Sequence, residues 1–483
     1  MDEKQDEKGL RFKKSENFSD WYVDVIIKSG FVDYSPVSGM MVLRPDAYFA
    51  WEQIMGYVDK ELKGMGVQNT YFPILIPEHL LKKEENHIEH FKAEVAWVTQ
   101  GGDSTLDERL AIRPTSETII YDIVSKWIRS WRELPMKLNM WNNVVRWEFK
   151  HPTPFLRTRE FLWNEGHSIY ATEQDAQSER DGVIRTFKGA LAGLLCLPCI
   201  VGKKTEQEKF AGGVASYSLE MLMPDGKMIQ GPDWHFDGQN FSRAFEISFL
   251  NKDGKKEYAW QSTYAISTRV LGVMIATHGD DKGLILPPKM ARIQIVIVPI
   301  YKNENKTIVM EKANNIREIL AKNFRVYLDE RDDASPGWKF NEWELKGVPL
   351  RIEIGERDIN AGKFVLFRRD TLEKIDVPLE LAAKTIKAEI SAFEKRLYKK
   401  AEAFIKSMSS YASEYEEMKK TLLERRGIVS APWCGLDDCE NKIKDETGAK
   451  ITNMPFDAKL KPKSKCIYCK KDAKYIANFA KSY

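Results

Sequence analysis

Apolar and polar residues alternate from Lys137 to Phe149 and again from Phe161 to Tyr170, and a proline-containing loop separates the two runs, so the pattern predicts a hairpin. A two-residue period places Arg146 and Glu148 on one face, with Phe161 available from the returning strand. Upstream, Ile119 to Trp131 repeats its apolar residues at helical spacing. Thr115, Ser116 and Glu117 therefore fall at a strand-to-helix junction, where hydroxyls and carboxylates serve as caps. Pro287-Pro288 then breaks the chain.

From Ala291 the pattern becomes regular. Strands are expected over 293–299, 324–328, 348–354 and, last, 363–368, with helices over 311–322 and 338–345, which together predict a compact α/β domain. A highly charged helical stretch from Leu379 to Arg426 follows, expected to be a solvated helix face. The chain thus divides into a charged extension (1–17), a large body of mixed strands and helices (18–288), the α/β domain (291–380) and a helical linker with a C-terminal domain (381–483).

With 483 residues, 43% of them hydrophobic, the chain can hold a large core and about three domains. No run of 18 apolar residues occurs and Met1 to Lys8 is charged, so neither a membrane span nor a signal peptide is expected, which leaves the cytoplasm. A net charge of +3 neither requires nor excludes a nucleic acid partner, since a basic face can hide in a balanced total.

The chemistry suggested by the hairpin is the gripping of a nucleoside triphosphate. Arg146 and, on the loop, Arg157 offer guanidinium forks for phosphate oxygens, and Phe161 offers a ring on which a base can stack. An ordinary charged hairpin with solvated arginines is the alternative. Capping accounts for one or two residues of Arg113-Pro-Thr115-Ser-Glu117-Thr118, but not for the whole run. Cys434-x4-Cys439 and Cys466-x2-Cys469 form two pairs, as four thiolates around one structural zinc require; reduced surface thiols are the alternative. Cys196 and Cys199 share x2 spacing but lie in an apolar run, so they are expected to be buried and structural.

Taken together, Arg-Pro-Thr-Ser-Glu-Thr, Arg146-Trp-Glu148 and Leu156-Arg-Thr-Arg-Glu-Phe-Leu-Trp-Asn-Glu-Gly-His167 resemble the active site of class II aminoacyl-tRNA synthetases, and within them the prolyl-tRNA synthetases of archaeal and eukaryotic type. Leu43-Arg44-Pro45 opening a helix with Trp51-Glu52, then Gly66 to Pro73, is similar to the family's first motif, which implies a homodimer through that helix and strand. Gly202 to Gly213, Gly238-Gln-Asn-Phe, Ser267-Thr-Arg269 and His278 to Pro288 resemble later blocks. The segment from Trp338 to Arg351 and Gly355-Glu-Arg-Asp358 resembles the class IIa anticodon-binding domain, with Phe340, Glu344 and Arg351 as candidate anticodon readers.

The resemblance implies an α+β catalytic domain, an antiparallel sheet flanked by helices, followed by an α/β anticodon-binding domain and a small zinc-binding α/β domain. It implies ATP with Mg²⁺, proline and tRNA(Pro) as substrates, a prolyl-adenylate intermediate, and no membrane or DNA partner. Arg146 would bridge the α-phosphate and the amino-acid carboxylate, and Glu148 and Thr158 would hold adenine with Phe161 stacked on it. Arg157 and Arg269, with Ser267, would reach the terminal phosphates, and Gln230 would touch the nucleotide. Thr115 and Glu117 would receive the ammonium, and Trp163, Phe210 and His235 would shape the ring pocket; the aromatic members are equally consistent with plain core.

This sequence departs from the family at Gln230-Gly-Pro-Asp233-Trp234-His235, where Thr-Ser is usual in place of Asp-Trp, and in the stretch after Gly213. Asp233 adds a carboxylate beside an anionic triphosphate. It is expected either to take Mg²⁺ or the substrate ammonium as partner, or to face the surface from a displaced loop. The interval between Arg146 and Arg269 is too short for the large editing insertion of bacterial-type enzymes. A synthetase for another amino acid, a synthetase-like RNA-binding protein without charging activity, and a ligase that adenylates a carboxylate without tRNA are the rival functions.

Overall fold

The computed structural model describes residues 9–87, 94–148 and 152–483. Most of the charged extension, and Phe149 and His151 of the expected hairpin, lie outside the described residues.

Helix α1 (Pro45–Gly64) starts on a proline at its first position with Asp46 in the first turn, both suited to a helix N-terminus. Ala47, Ala50, Trp51, Ile54, Val58 and Leu62 recur at helical spacing, and all are buried. Beside it runs an antiparallel sheet of β1 (Gln68–Asn69), β2 (Met136–Val145), β3 (Glu160–Tyr170), β4 (Ile200–Lys203), β5 (Ala215–Leu222), β6 (Met228–Gly238) and β7 (Trp260–Ser267), in the order β4-β5-β6-β7-β3-β2-β1. Only β1, at the outer edge, lies parallel to its neighbour β2. Helices α2 (Glu117–Trp127), α3 (Glu173–Gly193) and α4 (Arg269–His278) flank this sheet, with separate hydrophobic clusters around Trp51, Phe187 and Trp234 and around Tyr121, Phe241 and Phe245.

The expected hairpin forms, but β2 stops at Val145, four residues short of the expected end. Arg146 still donates its N–H to the Arg159 carbonyl at 2.7 Å, whereas Trp147 turns its N–H to the Glu94 carbonyl at 2.9 Å. The ladder is lost because the backbone donor finds a partner outside the hairpin. Helix α2 also ends earlier than its apolar pattern suggested, at Trp127.

His278 closes α4 fully buried, its Nε2–H donating to the Leu195 carbonyl at 2.8 Å. Burial holds its pKa down to about 4, against 6.5 for a free imidazole. Between those values the unfolded chain binds the proton and the folded chain does not, so stability falls as pH drops from 6.5 towards 4, by roughly 3 kcal/mol in full. Denaturant midpoints should therefore fall between pH 7 and pH 4.5, and fall less in His278→Gln, which keeps a donor for Leu195 without a titrating group. Equal losses in both proteins would refute this assignment.

The next unit has strands β8 (Ile295–Ile300), β9 (Val326–Leu328), β10 (Leu350–Gly355), β11 (Lys363–Arg368) and β12 (Lys374–Pro378), with helices α5 (Lys306–Ala321) and α6 (Pro336–Leu345). Strand order is β9-β8-β10-β11-β12; β8 is parallel to β9 and β10, and the rest is antiparallel. The sequence pattern placed the last strand at 363–368; β12 is a further, short edge strand whose charged residues masked it.

The charged stretch after it is neither one helix nor merely solvated. Helix α7 (Ala382–Ser407) buries Ala382, Ile386, Phe393, Leu397 and Ala401, and the first four join the core of the α/β unit. It is followed by strand β13 (Ser409–Tyr411) and helix α8 (Tyr415–Glu424). Its Lys and Glu residues dominate composition without interrupting the apolar stripe.

The C-terminal unit adds β14 (Ile428–Trp433), helix α9 (Asp437–Thr447), β15 (Lys450–Pro455) and β16 (Tyr475–Ala480). Its strands do not form a separate sheet. Met454 pairs with Lys203 and Pro455 with Gly202, so β13-β14-β16-β15 continues through β4 into one eleven-stranded sheet. Gly202 permits the seam, since a Cβ there would stand 2.5 Å from the Met454 carbonyl oxygen. Thr205 donates to Glu440 across the seam at 2.9 Å, and Asn453 to the Ile200 carbonyl at 2.9 Å.

Candidate active site

One cavity of about 340 Å³ opens on the sheet between α2, the loop 155–158 and strands β3, β5, β6 and β7. All fourteen residues singled out for amino-acid and nucleotide binding line it: Thr115, Glu117, Arg146, Glu148, Arg157, Thr158, Phe161, Trp163, Phe210, Gln230, Asp233, His235, Ser267 and Arg269. They come from six separate stretches of chain, and the sheet register brings them together. Asp233 on β6 faces Ser218 on β5 and Ala265 on β7, which in turn faces Glu165 on β3.

One end of the cavity is cationic. Arg146 anchors its Nε–H on the Pro114 carbonyl at 3.0 Å and lies 5.4 Å from the rings of both Phe161 and Trp163. Arg269 donates to the Gln230 carbonyl at 3.3 Å. Burial, then the positive fields of Arg146 and Arg157, hold the Arg269 pKa below its usual range, with Asp233 pulling the other way. Three guanidiniums that repel one another in a partly buried cleft are arranged to receive an anion.

The other end is acidic and hydroxylated. The Thr115 hydroxyl donates to Glu117, and both side chains are largely buried. Ser116 does not cap α2 with its hydroxyl; it donates through Oγ and backbone N–H to Glu165 at 2.6 and 3.0 Å. Asn142 adds a third bond to Glu165 at 2.7 Å, and His167 stands 3.5 Å away, with Tyr121 on its far nitrogen at 3.1 Å. Burial would raise the Glu165 pKa, but His167, Ser116 and Asn142 outweigh it and hold the carboxylate ionised below its usual range. This chain fixes the backbone on which Glu117 is mounted. Behind it Asp237 is fully buried, and burial with the field of Glu117 pushes its pKa well above normal.

The Asp233 carboxylate has a partner that neither expectation named. It accepts from Gln230 Nε2 at 2.8 Å and lies 3.4 Å from His235 Nε2, within the cavity and not on the surface. His235 is held through its other nitrogen by the Ser216 hydroxyl at 2.7 Å, and Ser216 in turn accepts the Phe210 N–H at 2.8 Å. The imidazole lies 4.9 Å from the Phe210 ring. Burial would raise the Asp233 pKa, but His235, Gln230 and Lys204 outweigh it and keep it below the usual range.

Glu165 and His167 were legible in principle, since both share the period-two face of Trp163. Lys204, buried and paired with Glu220 at 2.6 Å, and Ser216 carried no such signal; only the fold brings them to the cavity.

Three further groups stand apart. Cys434, Cys439, Cys466 and Cys469 gather with all four Sγ atoms within 4.8 Å of one another, two of the separations being 3.6 and 3.7 Å. Four thiolates at about 2.3 Å from a tetrahedral zinc would be about 3.8 Å apart, so the set fits that ion. Cys196 and Cys199 stand elsewhere; Cys196 is buried as expected, Cys199 only half-buried, and burial lifts their thiols to about 12 and about 11. In the α/β unit Phe340, Glu344 and Arg351 meet. The guanidinium lies 4.1 Å from the Phe340 ring and 4.0 Å from that of Phe367, and pairs with Glu344 and Glu353 at 2.9 Å each. Arg351 and Glu344 are buried and Phe340 is half-buried.

Three family models match the chain: the tRNA synthetase class II core domain (G, H, P, S and T) over residues 92–278, the anticodon binding domain over 294–389, and the prolyl-tRNA synthetase C-terminal domain over 415–483. A proline--tRNA ligase of Alkaliphilus oremlandii is 46% identical across 97% of this chain and 96% of its own length. Proline--tRNA ligase 2 of Clostridioides difficile is 45% identical, covering 98% and 97%. The archaeal proline--tRNA ligase of Cenarchaeum symbiosum is 44% identical, covering 98% and 99%. Among the described residues no helix is long and apolar enough to cross a membrane.

Proposed function

The chain belongs to the prolyl-tRNA synthetase family, and from that premise we propose that it activates proline with ATP and transfers it to tRNA(Pro), with each residue of the cavity in a definite role. The convergence of three arginines and the Thr115–Glu117 pair on one cavity carries this assignment. Activation is attack of the proline carboxylate on the α-phosphate, with pyrophosphate leaving. The protein must hold two anions together and stabilise charge developing at phosphorus. Arg146, anchored by its Nε and stacked against aromatic rings, keeps its terminal nitrogens for the carboxylate and the α-phosphate. Arg157 and Arg269, with Ser267, take the terminal phosphates, whose charge Mg²⁺ shares.

Glu148 and Thr158 hold adenine against Phe161, and Gln230 contacts the nucleotide. Thr115 and Glu117 accept the two N–H bonds of proline's secondary ammonium, a pairing that amino acids of other shape leave incomplete. Trp163, Phe210 and His235 enclose the ring, with Asp233 and Ser216 fixing the imidazole. The domain division at 288–291 and 380–381 separates activation from tRNA reading, in which the Phe340 ring stacks on an anticodon base beside the Arg351–Glu344 pair. Cys434, Cys439, Cys466 and Cys469 hold a structural zinc that fixes the C-terminal unit. Two chains pair through α1 and β1, a placement supported by the position of β1 at the sheet edge and by Tyr71, which is 68% exposed. The enzyme works in the cytoplasm.

Pyrophosphate exchange with each of the twenty amino acids tests this. Proline should be the preferred substrate, and Asp233→Thr should raise the KM for proline several-fold by freeing His235, and the KM for ATP by less, through the lost bond to Gln230. Preference for another amino acid would overturn the substrate, and an unchanged proline KM would remove Asp233 from the pocket.

A further inference from the structure

The segment between β15 and β16 carries seven lysines, Lys459, Lys461, Lys463, Lys465, Lys470, Lys471 and Lys474, against two acids, Asp457 and Asp472. All seven are exposed. Lys465 is paired with Asp472 at 2.6 Å and Lys470 with Glu414 at 3.0 Å, while the other five make no ion pair among the described residues. Lysines this close in sequence repel one another, and a chain with no anion to meet gains nothing by fixing them in place. From Lys465 onward they are fixed. Cys466 and Cys469 belong to the four-thiol cluster, Cys466 accepts and donates backbone bonds within the turn, and the Ile467 N–H is tied to the Pro432 carbonyl at 2.8 Å.

The register of the sheet says where this segment stands. It leaves β15 at Pro455, which pairs with Gly202 on β4; Gly202 pairs with Ser218 on β5, and Ser218 with Asp233 on β6. Pro455 and Asp233 therefore lie in one transverse row, three strand spacings or about 14 Å apart. The first residue beyond the strand, Phe456, packs on Tyr217 with ring centroids 5.4 Å apart, on the sheet face that carries Trp234 and α3, opposite the cavity side chains. Arg180 adds another cation over both rings, at 5.0 Å from Tyr217 and 5.5 Å from Phe456. By the register alone, the lysine segment begins two strand spacings, about 10 Å, from Ser218 in the lining of the cavity into which the 3′ end of a charged nucleic acid must reach.

We propose that residues 457–474 form a phosphate-binding surface for the acceptor end of tRNA, steering its 3′ strand into the active cavity. This rests on the assignment of tRNA charging above. It adds a second contact region on a unit distinct from the one that resembles an anticodon reader. Each lysine near a phosphate displaces condensed counterions, so the contribution is electrostatic and sensitive to salt.

The test is a triple Lys459→Gln, Lys461→Gln, Lys463→Gln variant of the full-length protein beside a triple Lys→Arg variant at the same positions. Proline-dependent pyrophosphate exchange, which needs no tRNA, should be unchanged in both. In the Gln variant the KM for tRNA in aminoacylation should rise at least about tenfold. The slope of log(kcat/KM) against log[salt] should become shallower by about 2, and the Arg variant should behave as wild type. An RNA hairpin carrying only the acceptor stem should show the same defect. Unchanged KM and salt slope in the Gln variant, or an Arg variant as impaired as the Gln one, would overturn the proposal, and a defect seen with whole tRNA but not with the acceptor hairpin would overturn the placement. Failure of wild-type protein to exchange pyrophosphate with proline would instead strike the substrate assignment, and so separates the two.

Discussion

Arg146→Ala is expected to lower the rate of proline-dependent pyrophosphate exchange at least a hundredfold while leaving the fold intact. The guanidinium is held at one nitrogen by the Pro114 carbonyl at 3.0 Å and flanked by two aromatic rings, so its direction is set before substrate arrives. A preorganised, charge-assisted contact to a reacting phosphate is worth about 3 kcal/mol or more in the transition state, and alanine supplies none of it. Arg146→Lys should recover little, because an ammonium cannot serve carboxylate and phosphate together as a fork does. The loss should appear in kcat more than in the KM for ATP, since Arg157 and Arg269 remain to bind the terminal phosphates. Exchange within tenfold of wild type, in a variant with unchanged circular dichroism, would exclude Arg146 from the chemistry.

Removing zinc should have the largest effect on stability. Apparent binding free energies of structural zinc sites are on the order of 10 kcal/mol, and the hydrophobic cluster of the C-terminal unit includes Cys434, Cys439 and Cys466 themselves. Freshly purified protein should contain one zinc per chain. Chelation, or Cys466→Ser, should release it and open residues 428–483 to protease while the α/β unit around β8 and β10 stays protected. Because Met454 and Pro455 are paired with β4, exchange activity should decline along with the proteolysis. Protein that contains no zinc when purified from metal-replete medium, yet resists protease in this region, would refute the site.

Much of this was legible in the chain because it is local. A hairpin announces itself by alternation, a helix start by proline and acid, and a thiol site by cysteine spacing, and each of these needs only a few consecutive residues. The candidate cavity residues were found through motifs, and the fold brings all fourteen to one place. What remained hidden depends on pairing between distant segments. The partner of Asp233 is His235, two residues away on the same strand, but the carboxylate and imidazole face each other only because Ser216, on a neighbouring strand, holds the ring from behind. The charged stretch 382–407 hid its buried stripe because composition averages over faces that a helix keeps apart. The continuation of the sheet across β4 and β15 was beyond reach for the same reason, since nothing in Ile200–Lys203 names its partner.

That continuation bears on how the chain is made. As the polypeptide leaves the ribosome, β4 emerges with β5 on one side and open backbone groups on the other, and its second neighbour follows some 250 residues later, roughly 10 to 50 seconds at ordinary rates of synthesis. Throughout that interval the nascent catalytic unit presents a bare strand to every other chain on the same message. A segment made some 250 residues later seals it, so the sheet of the active unit cannot be completed before residues 450–455 have been made. A ribosome that stalls anywhere before residue 450 leaves behind a product whose vulnerable edge is still open, and such fragments should be found in aggregates or bound to chaperones.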